Sequence, residues 1–280
     1  MADVEAHPLL ETDAITVRDV HCAGTCRHSS AHEHAAATHV VFPYRGVYIR
    51  RLGRDEAVAE ANQVLFFNCD EGYRVSHPLA GGDASLDLIV SEPLLAELAP
   101  RALLHDRPPV SFHPQRLRID PPTQAVAATL RHRLRHNPAA TLEHETRALT
   151  LLRRALGPRT THAPGATAGR RRIVDRAKVV LSADLTRRWT LAELGAEVGH
   201  SPVYLTQVFQ QVEGVPHYRY QLRLRLARAL DLLPRVDDLT ALGLELGFSS
   251  HSHFTTAFRQ LYGQSPSAFR TAARGRRPRR

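Results

Sequence analysis

The sequence predicts an α+β chain: an N-terminal β-barrel with a helical hairpin, then an all-α domain of two helix-turn-helix units joined by a long helix. Three observations predict it. A short helix, a glycine and a second helix occur in that order twice, at residues 190–209 and 239–259. Leu191 matches Leu239, Leu194 matches Leu242, Val198 matches Leu246, Gly199 matches Gly247 and Phe209 matches Phe258, with one extra residue in the second turn. Residues 14–120 hold short apolar stretches separated by Gly, Pro, Asn and Asp, as strands do. Charge divides the chain as well: residues 1–169 carry 18 arginines against 19 acidic residues, and residues 170–280 carry 19 basic against 9 acidic.

Composition excludes several classes. The chain has 280 residues, enough for about two domains, and 43% are hydrophobic. No apolar run approaches the roughly 20 residues that cross a bilayer. The start of the chain lacks the basic-then-apolar order of a secretion signal, so the expected location is cytoplasmic, with no membrane partner. Cys22, Cys26 and Cys69 are too few for a disulfide framework. The basic excess of the C-terminal part is what phosphate contacts require. Arg274, Arg276, Arg277, Arg279 and Arg280 supply half of it, and the part stays positive without them.

Along the chain, residues 1–120 form the β-rich domain, with strands expected near 38–42, 46–50, 63–67 and 85–90 and a short helix over 91–104. Residues 121–157 change to helical period: Val126, Leu130 and Leu134 form one stripe, Leu142, Leu149, Leu152 and Leu156 another, and Asn137-Pro138 separates them. This hairpin either packs on its own barrel or offers a dimerisation surface. Residues 158–171 read as a linker. Residues 172–273 form the helical domain, and 274–280 a basic tail.

In the first repeat Leu191, Leu194 and Val198 line the leading helix, and Gly199 suits the left-handed turn that ends it. Ser201 suits an N-cap and Pro202 the first helical position. Leu205, Val208 and Phe209 face the core, leaving Ser201, Val203, Thr206, Gln207 and Gln210 for DNA. In the second repeat Gly247 makes the turn, and Ser249 or Ser250 caps the next helix. Phe248, Phe254, Ala257 and Phe258 are core, leaving His251, Ser252, Thr255, Thr256 and Arg259 outside. Gln pairs with adenine and Thr methyls touch thymine, whereas Arg259 suits phosphate. Residues 216–233 read as one connecting helix of about 27 Å, ended by Pro234. Such a rod suits two helices that enter successive major-groove segments roughly 34 Å apart. Trp189 is expected in the core of this module.

The segment from about Leu181 to Arg270 resembles the DNA-binding domain of the AraC/XylS family of bacterial transcription regulators. The residues that carry the resemblance are Trp189-Thr-Leu-Ala-Glu-Leu, Tyr204-Leu-Thr-Gln-Val-Phe, Arg225-Leu-Ala-Arg-Ala-Leu, Gly247-Phe-Ser-Ser-His-Ser-His-Phe-Thr-Thr-Ala-Phe-Arg and Gly263-Gln-Ser-Pro-Ser-Ala-Phe-Arg. It implies promoter binding, often as a homodimer, and activation through contact with RNA polymerase. By position, Val203, Thr206 and Gln207 in the first unit, and Ser252, Thr255 and Thr256 in the second, would read bases. Many members carry Arg where Gln207 and Thr256 stand, and the usual Ile-Ala pair is Leu242-Gly243 here, which would loosen that helix.

By the same resemblance the N-terminal domain is a cupin-like sensor of a small-molecule effector, with His39, Arg50, Tyr73 and His77 as candidate contacts. His32 and His34 resemble a degenerate first cupin motif, and residues 63–78 the approach to the second. Cys22, Cys26, His32, His34 and His77 are candidate metal ligands, of types that suit Zn²⁺. The leading expectation is a regulator that is not an enzyme, binds double-stranded DNA and needs no cofactor. The alternative is a cupin-type metalloprotein or a metal or thiol sensor built on those residues.

Overall fold

The structure is a computed structural model that describes residues 4–157 and 167–274. Its first half contains two sheets. Strands β1 (Val4–Glu11), β2 (Ile15–Cys22), β9 (Asp83–Val90), β4 (His39–Arg45), β7 (Gln63–Phe67) and β10 (Arg116–Arg118) lie in that order in the larger one. The smaller has the order β3 (Glu33–His34), β8 (Gly72–Ser76), β5 (Tyr48–Leu52), β6 (Asp55–Ala59). Of these, β4, β5, β7 and β9 were legible in the sequence. Strand β1 was not: it begins ten residues before the expected sheet, and its Pro8 is tolerated at an edge strand, next to a register shift between Pro8 and Leu10.

Two cores share one sheet. Successive side chains of a strand point to opposite faces. Thus Val64 and Phe66 of β7 enter a core with Leu86, Leu88, Leu130 and Leu152, while Leu65 and Phe67 enter one between the sheets with Val41, Tyr48 and Ala59. Every residue of β7 is buried because both its faces are covered. The outer cover is α1 (Glu92–Leu98), α2 (Pro121–His136) and α3 (Thr141–Leu156). The helix expected over 91–104 stops at Leu98 and resumes as one tight turn, Arg101–Leu103, because Pro100 interrupts it.

The hairpin is therefore part of this lobe's core. Its α2 is also covered on its other side: Ala125 and Ala128 pack with Leu226, Leu230, Phe254 and Phe258 of the C-terminal half. Among the described residues of the hairpin, the outer face of α3 stays exposed.

The second half is helical: α4 (Ala168–Ala183), α5 (Leu191–Val198), α6 (Pro202–Glu213), α7 (His217–Leu232), α8 (Leu239–Glu245), α9 (His251–Tyr262) and α10 (Pro266–Arg274). Helix α4 starts before the expected boundary at 172, because Thr167 accepts a hydrogen bond from the Arg170 amide and caps it. Arg274 is not a tail residue: it ends α10 and binds the Pro234 carbonyl and the Asp237 carboxylate. Residues 158–166 of the expected linker and 275–280 of the expected tail lie outside the described residues. No described helix is long and apolar enough to cross a membrane.

Buried polar links join the halves. Arg116 pairs with Asp175 at 2.7 Å, Arg131 with Asp231, the Tyr220 hydroxyl donates to Glu60, and Arg118 donates to the Glu213 carbonyl.

Candidate nucleic-acid interface

The first unit is α5, a turn and α6. Thr190 opens it with a reciprocal cap: its hydroxyl accepts from the Glu193 amide at 3.2 Å, and the Glu193 carboxylate accepts from the Thr190 amide at 2.8 Å. The Thr190 bonds, with Arg187 at 2.9 Å, pull the Glu193 carboxyl down to about 2. Gly199 takes φ 74°, the left-handed conformation that ends α5, and the Ser201 hydroxyl accepts from the Tyr204 amide to start α6. Leu205, Val208, Phe209 and Val212 are buried, and Trp189 packs against their cluster with Arg187 stacked 3.8 Å over its ring.

The second unit is α8, a turn and α9. Asp238 accepts from the Thr240 and Ala241 amides, and these bonds hold its carboxyl below the usual range. Gly247 has φ 80°, and the cap of α9 is Ser250, not Ser249, since the Ser250 hydroxyl accepts from the His253 amide. Phe254, Ala257, Phe258 and Tyr262 are buried.

Both leading helices carry a glycine at the same place, and the contact is tighter in the first. A Cβ on Gly195 would lie 2.7 Å from the His200 carbonyl oxygen, and one on Gly243 3.1 Å from the Phe254 Cβ. Gly243, expected to loosen its helix, packs its Cα side against Phe254 of the following helix.

The ten candidate DNA contacts divide into two surfaces. Ser201, Val203, Thr206, Gln207 and Gln210 are exposed on α6 or its cap, Val203 at 70%. His251, Ser252, Thr256 and Arg259 are exposed on α9, and Thr255 is half-buried. They are not equally free. Ser201 caps its helix, Thr206 donates to the Pro202 carbonyl and Gln210 to the Gly214 carbonyl. His251 bonds to Thr240 and Thr255. Among the described residues the side chains of Gln207, Ser252, Thr256 and Arg259 have no partner, so they meet a ligand without breaking an internal bond.

Arg225 on α7 ties the two units together. Its guanidinium donates to the carbonyls of Leu185, Thr186 and Arg187 ahead of α5, and to Gly247 in the second turn at 3.1 Å. The sequence shows Arg225 inside a motif but not this role, which depends on four carbonyls brought together by folding.

The N-terminal candidates gather less well. Arg50 is fully buried, donates to the Phe66 carbonyl and Glu71, and lies 3.9 Å over the Phe67 ring, so its charge already has a partner. His39 stacks on Phe67, and Tyr73 meets the same ring edge-on. The five metal candidates separate: His32 and His34 bond to each other at 3.2 Å on the smaller sheet, while Cys26 lies 3.1 Å from His77 Nδ1. Cys22 and His77 converge instead with Asp83, which sequence reasoning missed because only strand register brings it there.

Residues 194–272 match a helix-turn-helix domain family. The chain is 31% identical over 108 residues to the uncharacterized HTH-type transcriptional regulator YidL of Escherichia coli (strain K12), covering 38% of this chain and 36% of that one. It is 28% identical over 179 residues to a putative AraC-like transcription regulator of Streptomyces antibioticus, covering 61% and 59%. A solved AraC-type regulator from Chromobacterium violaceum is 30% identical, with 37% of this chain and 94% of that one covered and a TM-score of 0.35. The chain spans about a third of the length of the first curated relatives it matches. Residues 194–272 of the helical half form an AraC-type helix-turn-helix domain.

Proposed function

We propose that this chain is a sequence-specific transcription regulator that places α6 and α9 in two adjacent major-groove segments of double-stranded DNA. The observation that carries this reading is the pair of capped, glycine-turned helices whose outer faces hold Gln207 and Thr256 without internal partners. Helix α7 has 16 residues, a rod of about 24 Å, and Arg225 ties the segment ahead of α5 and the second turn to it. The contacts assigned to Val203, Thr206, Gln207, Ser252, Thr255 and Thr256 are base contacts; Ser201, Gln210, His251 and Arg259 serve the backbone.

Control by a small molecule at the N-terminal lobe is the second half of the proposal. The buried links between the lobes support it, because a ligand that favours one arrangement of the lobes shifts how the two helices are presented. Self-association through α3 and contact with RNA polymerase complete the reading. Selection of the full chain on a random duplex library tests the DNA part. Enrichment of two short motifs about one helical turn apart is expected; a bound pool indistinguishable from the starting library would overturn it.

A further inference from the structure

The β-lobe holds a chemical site of its own. Cys22 is the last residue of β2 and Asp83 the first of β9, and strand register makes them direct partners on the face between the sheets. His77 follows β8, and its amide donates to the Cys26 carbonyl at 2.8 Å. Cys22 Sγ, an imidazole nitrogen of His77 and a carboxylate oxygen of Asp83 lie within 4.8 Å of one another. Both His77, at 2% exposure, and Asp83, at 7%, are buried.

We propose that Cys22, His77 and Asp83 bind a divalent transition-metal ion of the Zn²⁺ type. Thiolate, imidazole and carboxylate are the donors such an ion takes. One thiolate and one carboxylate carry the two negative charges that neutralise it, so the filled site is uncharged in a buried place. Three protein donors leave a fourth position for water or a small ligand. Nε2 of His77 faces Asp83 at 2.6 Å, and a metal between them displaces the shared proton and opens that gap by about 1 Å, to the donor spacing set by bonds of roughly 2.0–2.3 Å. Nδ1 then donates to Cys26 Sγ, which positions the ring from behind, as outer-shell partners of metal-bound imidazoles do.

The surrounding backbone fits this role. The Gly24 amide donates to Cys22 Sγ at 3.4 Å. Loops close on the site only because two glycines have no side chain. A Cβ on Gly82 would lie 2.0 Å from the Cys22 carbonyl oxygen, and one on Gly46 2.8 Å from the Asp83 Cα. An ion here clips the end of β2, the start of β9 and the segment after β8 together.

Titration of the metal-stripped full chain with Co²⁺ tests the proposal. One equivalent is expected to give a thiolate-to-cobalt charge-transfer band and tetrahedral d–d bands, and Zn²⁺ is expected to displace it. Cys22→Ser should remove the charge-transfer band, and Asp83→Asn should weaken binding at least tenfold. Cys26→Ser should keep the stoichiometry and weaken binding about 10–100-fold. His32→Ala with His34→Ala should change nothing. A band that survives Cys22→Ser, affinity unaltered by Asp83→Asn, or no band in the unmodified chain would each overturn the site. Cys22 is half-exposed, so its serine variant is expected to fold; a lost band with native circular dichroism then reads on the metal alone.

Discussion

The α5–α6 and α8–α9 units are alike in their turns and unlike in how they join the β-lobe. The first draws its core from its own helices, α4 to α7. It meets the β-lobe through polar links: Asp175 with Arg116, Tyr220 with Glu60, and the Glu213 carbonyl with Arg118. The second shares an apolar core with α2, through Ala125 and Ala128. A shared apolar core holds two elements as one body, because parting them exposes it to water. Hydrogen bonds and ion pairs exchange for water at smaller net cost. The second unit is thus expected to part from the β-lobe at greater cost than the first.

The largest test removes the charge beside the shared core. Arg131, 1% exposed, pairs with Asp231 and lies 3.6 Å over the Tyr44 ring. Asp231→Ala leaves that guanidinium buried without its carboxylate, and a loss of about 3–5 kcal/mol is expected in denaturant unfolding. Asp175→Ala, on the side of the first unit, should cost less, because Arg116 keeps its bond to the Val58 carbonyl at 3.1 Å. Equal losses would break the asymmetry.

Acid offers the next test. His132 sits at the interface of the second unit, with Nε2 3.0 Å from the Leu230 carbonyl, and burial followed by the charge of Arg131 lowers it to about 3. The unfolded chain takes up this proton near pH 6.5, whereas the folded chain refuses it until about pH 3. Its contribution is therefore intact above 6.5 and declines as pH falls from there to about 3. His132→Gln should flatten stability across that window; an unchanged slope would remove His132 from the account.

DNA affinity gives a smaller, sharper comparison. Gln207→Ala is expected to reduce specific binding by about 1–3 kcal/mol and to relax preference at one base position. Thr256→Ala, which removes one methyl and one hydroxyl, should lose less. Arg259→Ala should weaken all sequences alike and lower the salt slope. These are measured by competition binding at two salt concentrations. A loss at Arg259 confined to one base position would reverse its assignment.

How much of this was legible in the sequence follows from the range of the forces. The repeated units were, because caps, turn glycines and apolar spacing act within about ten residues: Gly199, Ser201 and Gly247 each do what their neighbours imply. Strands β4, β5, β7 and β9 were legible from apolar runs. Strand β1 was not, since residues 4–8 are all exposed and the run is broken by Pro8. Long-range pairings were also invisible. Asp83 meets Cys22 only through the β2–β9 register, and Arg225 finds four carbonyls from two separate turns. Arg50 read as a candidate effector contact because nothing local announces Glu71 as its partner.

The smallest test compares the caps. Thr190→Ala removes a hydroxyl that accepts from the Glu193 amide and also donates to its carboxylate, whereas Ser250→Ala removes the bond to the His253 amide. Each is expected to cost about 1 kcal/mol. Their effects should part in acid. The Glu193 carboxyl lies at about 2, below its unfolded value, so its support for α5 is complete above the ordinary carboxylate range and fades as pH falls toward 2. Thr190→Ala should therefore matter most at neutral pH and progressively less in acid, while the Ser250→Ala cost, which involves no carboxylate, should stay level. Local hydrogen exchange at α5 and α9 between pH 5 and pH 2.5 reads the two caps separately; parallel losses would mean that the first cap draws nothing from its acidic partner.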